Sequence, residues 1–476
     1  MTKRTPLALI AFLFCAAPLL AQEGYEHFSV SAHGAGRTYV VSSFGLDAVG
    51  LNPALLYTGE RDKKWEVRLF PAASFGVDAG PSFRDVGSIS NIFDVTKGDI
   101  NDADLDHIVS VLQDNKLSGR GDAEAIGVAY HPGTIGSFAF TWTAHAALRT
   151  DIPQDFLDFL SSAQANLAQG SGNYANLDVQ GLWYDEYSIS FGTKVIDNSA
   201  TNSFLQAVQL GGAAKYVTGI GMIQLQDGNY FKHTATGGGA DIAVNYEILS
   251  SYSNDFDPHH APNHFSFDFL TASPAGSGFG LDLGGSATFL VGGKAKAPAL
   301  LFGASVTDIG SISWKDHAKV RDGKDLSGTV LWESGGTGLT DSLKKFSGEL
   351  RDTSFSTALP TMLRLGALLD LGAFGKSWGG FSPRLAMEFA TGLASAVGSL
   401  KYPRLGAGVT LTKTGEGSAL RLSGGFVIEK NASDITLGVG TTVFDAVSID
   451  LATAHLTEFF KASKRLDIAV AIKGMF

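Results

Sequence analysis

The sequence predicts an all-β chain: a transmembrane antiparallel β-barrel of about 14 strands, within a range of 12–16, with an N-terminal hatch inside the lumen and short helical inserts. Three observations carry this reading. Long stretches alternate apolar residues with small or charged ones, and successive side chains of a strand point to opposite faces. These stretches run about 10–14 residues, longer than the usual five or six and suited to a tilted bilayer crossing. Glycine and alanine crowd the face opposite the apolar one, and glycine is abundant overall at 58 of 476 residues, about 12% against roughly 7% in average proteins.

The chain opens with Lys3 and Arg4, an apolar run from Leu7 to Leu20 and a small residue at Ala21. That layout predicts a secretory signal peptide over 1–21, too short to cross a bilayer as a helix. Phe14 stands where a lipid-attachment site at Cys15 needs a small residue, so simple cleavage is the better reading. Cys15 is the only cysteine, which leaves an exported chain without disulfides that must be held by its fold alone. Cleavage moves the net charge from −11 to −13. With no basic stripe or Arg-rich run, nothing supports a nucleic-acid partner.

The alternation is clear near the C-terminus. Leu466, Ile468, Val470, Ile472 and Phe476 share one face, and Asp467, Ala469, Ala471 and Lys473 the other. Leu405, Val409 and Leu411 likewise oppose Arg404, Gly406, Gly408 and Thr410, and Ile189, Phe191 and Val195 oppose Ser188, Ser190, Gly192 and Lys194. The pattern places strands near 65–79, 122–131, 135–149, 182–196, 206–226, 230–249, 275–290, 298–308, 358–371, 381–394, 402–413, 418–429, 434–454 and 463–475, with a turn at Phe444-Asp445 that would split the stretch containing it. A closed sheet suits a bilayer because it pairs every backbone donor and acceptor without leaving an edge. Phe476 ends the last strand, the kind of terminal signal that barrel-assembly machinery reads. Between strands, INDADLDHIVSVLQDN and PQDFLDFLSSAQANLAQ predict short amphipathic helices.

Before the first strand lies FGLDAVGLNPALL, residues 44–56. Pro53 disfavours a continuous strand or helix, Gly45 and Gly50 permit tight bends, and Phe44, Leu46, Val49, Leu51, Leu55 and Leu56 would be poorly placed in water. A compact plug over 22–64, folded inside a barrel formed by 65–476, satisfies all three.

SSFGLDAVGLNPALL resembles the N-terminal hatch of FadL-type outer-membrane transporters of long-chain fatty acids and hydrocarbons, and of the related PorV-like barrels, with Asn52, Pro53 and Ala54 matching their Asn-Pro-Ala signature. GGAAKYVTGIG (211–221), GFGLDLGGSATF (278–289), DIGSISW (308–314) and TALPTMLRLGALLDL (357–371) resemble an uncharacterised, mostly Bacteroidetes-type branch of these barrels. The resemblance implies an outer-membrane barrel of 14 strands that passes an apolar small molecule past a hatch, with Asn52, Pro53 and Ala54 as gating residues and Phe44, Leu46, Leu51 and Leu55 as ligand contacts. The bland alternative is that the triplet only terminates and anchors the plug. The second function class that the resemblance implies is a PorV-like barrel binding secretion-system proteins.

Catalytic patterns are lacking: neither G-x-S-x-G nor H-E-x-x-H occurs, so no enzymatic activity and no cofactor is expected. His259, His260 and His264 in DPHHAPNH have spacing compatible with a transition metal but read better as solvated loop histidines. Asp102, Asp104 and Asp106 lack the glycine and closing glutamate of a calcium loop.

Overall fold

The computed structural model describes residues 27–57, 63–79, 116–133, 135–160, 170–201, 203–253, 273–291, 299–331, 346, 348–375, 377–394, 396, 398–429, 432–454, 456 and 465–476. In chain order the strands are β1 (Trp65–Ala79), β2 (Lys116–Tyr130), β3 (Ser137–Asp151), β4 (Ser171–Ala175), β5 (Asp178–Asp197), β6 (Leu205–Leu225), β7 (Tyr230–Thr236), β8 (Gly239–Asn245), β9 (Glu247–Tyr252), β10 (Gly276–Phe289) and β11 (Leu300–Trp314). They continue with β12 (Lys319–Asp322), β13 (Leu326–Leu331), β14 (Glu349–Asp352), β15 (Phe355–Ala358), β16 (Met362–Asp370), β17 (Ser382–Gly392), β18 (Arg404–Gly415), β19 (Ser418–Glu429), β20 (Ala432–Val443), β21 (Val447–Ala454) and β22 (Arg465–Met475). The helices used below are α1 (Val30–His33), α2 (Tyr39–Ser42) and α3 (Gln154–Leu160).

Fourteen of these strands close a ring in the order β1-β2-β3-β5-β6-β10-β11-β16-β17-β18-β19-β20-β21-β22, every neighbour antiparallel, and β22 pairs back onto β1. At the seam Trp65 and Phe476 exchange both backbone hydrogen bonds, at 3.0 and 2.9 Å. No edge is left on the wall. Among the described residues no helix is long and apolar enough to cross a membrane.

The strand number agrees with the sequence reading through two compensating differences. The stretch 434–454 is two wall strands, β20 and β21, turning through Phe444 and Asp445, which both hold left-handed φ angles (55° and 49°). The stretch 230–249 is no wall strand. It forms the β7–β8 hairpin of a separate sheet, β13-β8-β7-β4, whose own core is Ala240, Ile242, Val244, Val330 and Phe346 with Phe156 of α3 packed against it. The predicted helix over INDADLDHIVSVLQDN lies outside the described residues, as does the signal peptide.

Side-chain direction along the wall follows the alternation. The apolar set faces outward, as with Ile189 at 66% and Phe279 at 73% exposed, a surface suited to hydrocarbon rather than water. Two aromatic rows follow the register around the outside: Trp142, Tyr187, Tyr216 and Phe279 across β3, β5, β6 and β10, and Trp65, Tyr130, Phe138 and Phe191 across β1, β2, β3 and β5. The rows stand four residues apart on β3 and β5, about 13 Å along the strand, and aromatic girdles of this kind mark a membrane interface in outer-membrane barrels. The ring ends differ: connections at the Phe476 end are short, and the other end carries the second sheet and the extension β9-β12-β14. We call them the turn end and the insert end.

The inward face is small because a backbone lies against it. Cβ atoms on Gly192, Gly211 and Gly284 would overlap Asn52 or Pro53, and on Gly406, Gly408 and Gly425 they would overlap Ala35, Gly36 or the strand backbone beside them. Gly211→Val is therefore expected to destabilise the protein by about 1–3 kcal/mol through overpacking and to make residues 27–57 protease-sensitive. Gly221→Ala, where the added atom meets nothing within 4 Å, should leave both thermal midpoint and cleavage unchanged.

Candidate functional site

Residues 27–57 fold inside the ring as short turns. α1 and α2 are single turns, Gly45–Ala48 and Pro53–Leu56 are 3-10 turns, and Gly45 and Gly50 make left-handed bends (φ 63° and 72°). Asn52 caps the last turn: its Oδ1 accepts the Ala54 N–H (3.2 Å), while its Nδ2 donates to the Val40 carbonyl (2.9 Å) and the Gly285 carbonyl of β10 (3.4 Å). Pro53 sits at the first helical position, where its missing N–H costs nothing. One side chain thus joins α2, the Pro53 turn and the wall. Ser305 of β11 adds a hydrogen bond to the Leu51 carbonyl at 2.6 Å, and Gln209 of β6 one to the Tyr57 carbonyl at 3.0 Å.

Buried ionic clusters fix the rest of the segment to wall strands on all sides. Asp467 of β22 receives Arg37, Arg120 of β2 at 2.8 Å and His33 at 3.3 Å, and Arg37 also reaches Glu429 of β19 at 3.3 Å. Asp47 takes Lys473 of β22 at 2.8 Å and Arg68 of β1 at 3.1 Å, and Glu66 accepts the Leu46 N–H at 2.9 Å. Glu388 of β17 accepts the Val40 N–H at 2.6 Å and Arg404 of β18 at 3.1 Å. The densest cluster surrounds Lys215 of β6, which meets Asp308 (2.6 Å), Asp282 (3.0 Å), Glu186 (3.2 Å) and His27 (3.2 Å). Buried charges are tolerated only when paired, so the segment and wall complete one another.

Burial would lower the His27 imidazole, but Glu186 and Asp308 outweigh it and raise it to about 10. His33 goes the other way: burial pushes it below its ordinary value, and Asp467 offsets this only in part. For Asp47, burial would raise the carboxyl, but Lys473 and Arg68 hold it below the usual carboxylate range.

Above and below this layer the lumen differs. Toward the insert end Leu182, Tyr184, Val217, Met222, Ile312 and Trp314 form an apolar cluster on the inner face. Toward the turn end a cavity of about 660 Å³ is lined by Phe44 and Leu55 together with many polar groups, among them Gln209, Thr410, Arg421 and Lys473. Of the four apolar residues singled out from the sequence, Phe44 and Leu55 reach this cavity. Leu46 packs against Val49, Leu56, Ala129 and Ala139, and Leu51 against Ala32 and Tyr39. Phe476 lies at the seam, and His259, His260 and His264 lie outside the described residues.

Sequence reasoning missed the ionic clusters. Their one signal is a lone charge on the small-residue face of a strand, as with Lys215 in GGAAKYVTG and Asp282 in GFGLDLGG.

A family model described as "Family of unknown function (DUF5723)" matches residues 60–445. No curated protein matches. Solved structures similar to the chain include the toluene transporter TbuX of Ralstonia pickettii (11% identity, 95% of this chain and 99% of that one, TM-score 0.42) and the toluene transporter TodX of Pseudomonas putida (11%, 96% and 98%, TM-score 0.43). A third is the CymD monoaromatic hydrocarbon channel (10%, 96% and 98%, TM-score 0.41).

The Asp47 pairing carries a pH dependence. A carboxyl depressed by folding stabilises fully above its unfolded value, near 3.9, and loses that contribution as pH falls through its folded value. Amide-exchange protection of residues 44–57 should therefore fall below about pH 4, and Asp47→Asn should flatten that component of the profile.

Proposed function

From the premise that the chain belongs to the DUF5723 family, we propose that it is an outer-membrane channel for hydrophobic small molecules, fatty-acid-like or hydrocarbon-like, with residues 22–64 as its hatch. The carrying observation is the order of environments along the lumen. An apolar cluster at the insert end is followed by a layer in which the N-terminal segment is fastened to the wall, and then by the turn-end cavity. Outer-membrane barrels keep their short turns in the periplasm, so the apolar end faces outside. An apolar solute that parts this closed cluster gains on the order of 0.8 kcal/mol per CH₂ it buries, against the cluster's own contacts. Onward passage requires the segment to shift, and no catalytic step is involved. The export signal at 1–21 and the assembly role of Phe476 belong to the same reading.

A second reading, a barrel that binds a protein partner such as a secretion component, draws on the separate β13-β8-β7-β4 sheet at the insert end. Native mass spectrometry of protein extracted gently from its own outer membrane separates the two. An apolar adduct that survives stripping of bulk lipid supports the channel, and a stoichiometric protein partner without such an adduct overturns it.

Gating by Asn52 has its own test. Asn52→Ala removes the cap and leaves the buried Val40 carbonyl without this donor, a cost of about 1–3 kcal/mol. The variant is expected to raise solute leakage in reconstituted liposomes or to alter uptake of apolar solutes. Unchanged permeability and uptake in a correctly folded variant would reject the role.

A further inference from the structure

We propose that His27, His145 and Glu186 form a binding site for one divalent transition-metal ion, which ties the N-terminal segment to the barrel wall. One imidazole nitrogen from each histidine and a carboxylate oxygen of Glu186 lie within 4.8 Å of one another, all three residues being buried. The two rings meet edge to face with centroids 5.0 Å apart. Two nitrogens and one oxygen suit Zn²⁺ and its neighbours rather than Ca²⁺ or Mg²⁺, which take oxygen ligands.

Three further features point the same way. His145 Nδ1 lies 3.0 Å from Asp122 Oδ1, and Ser74 Oγ donates to the other oxygen of Asp122 at 2.9 Å. A carboxylate behind a histidine fixes ring orientation and raises basicity, the arrangement usual behind metal-bound imidazoles. Glu186 Oε1 has no hydrogen-bond partner among the described residues, while Oε2 faces the Lys215 ammonium at 3.2 Å and His27 Nε2 at 3.4 Å. Finally, four buried carboxylates gather here among the described residues, Glu186, Asp282 and Asp308 on the Lys215 ammonium and Asp122 behind His145. Such an excess of negative charge calls for a buried countercharge, and a proton on His27, held by Glu186 and Asp308, meets part of it in the metal-free protein. A divalent ion between the imidazoles and Glu186 supplies it, with Lys215 retained by Asp282 and Asp308. Protons on the histidines are the competing countercharge.

Because His27 belongs to the segment and His145 and Glu186 to β3 and β5, the ion would add a bond between them. The site stands whatever solute the barrel passes.

The test uses the full mature chain purified in detergent, stripped with chelator, given Zn²⁺ and desalted, with metal counted by elemental analysis. A background carrying His259→Ala, His260→Ala and His264→Ala removes the loop histidines as a source of adventitious zinc. One Zn²⁺ per chain is expected there, falling to background on adding His27→Ala, which lies outside every wall strand. Asp122→Asn should weaken binding about 10–100-fold. Barrel closure, read from migration on an unheated gel, verifies folding. Absence of retained zinc in the folded triple-alanine protein overturns the site, as does equal retention after His27→Ala. If Asp122→Asn fails to close, the His27→Ala comparison decides alone.

Discussion

The structure depends on buried charges on the inner wall that need partners from the N-terminal segment. In a closed barrel the backbone hydrogen bonds are spent laterally between strands, so the wall's own backbone offers little to hold an object in the lumen, the Gly285 carbonyl that Asn52 reaches being an exception. Side chains must do this. Asp467, Glu388, Glu66 and Lys215 each project inward from a different strand and each meets a group from residues 27–47. Removing one member of a buried ionic group leaves its partner uncompensated, at about 3–5 kcal/mol. The segment is therefore held in one register. Such pairs contribute more to specifying a position than to net stability, because desolvation offsets much of their attraction.

The glycine content follows from the same requirement. Backbone turns can reach wall carbonyls and hydroxyls only where the wall carries no side chain. Thr436 of β20 shows the result: its hydroxyl donates to the Gly34 carbonyl and accepts the Gly36 N–H, both at 2.9 Å, in a patch where Gly408, Gly425 and Gly438 leave room. The Asn52-Pro53 turn lies in a second such patch formed by Gly192, Gly211 and Gly284. The small residues on the inner face are thus contact surfaces for a folded segment, more than the lining of an open lumen.

Much of the wall was legible because alternation reports half-burial directly. It does not report which layer is half-buried. Tyr230–Asn245 alternates as a wall strand does, yet its apolar side covers the core of a separate sheet. The capping role of Asn52 was within reach, since asparagine before proline is a helix-start signal. The ionic clusters were not, because their members stand far apart in the chain: Arg37 and Asp467 are 430 positions apart, and Lys215 and His27 are 188. Each charge is isolated in its own stretch, and only strand register brings the charges to one level of the ring. Of the apolar residues singled out in the segment, Leu51 turns inward to pack the segment itself and Leu46 packs against both the segment and the wall alanines Ala129 and Ala139, a distinction that composition cannot make.

The polar fastening also shapes how the segment can move. Withdrawing residues 27–37 exposes the Lys215 and Asp467 clusters in an apolar surrounding, where unpaired charge is costly. Shifting residues 44–57 toward the turn-end cavity instead brings Asp47, Glu66 and Lys473, which already line that cavity, into a polar space of about 660 Å³. Water there can replace lost partners, so the second motion carries the smaller desolvation cost. The asymmetry lies in the wall residues rather than in the segment. The Asn52 cap stands between the two parts, joined to α2 on one side and to the Pro53 turn on the other, and a displacement of the lower part must act first on its bonds.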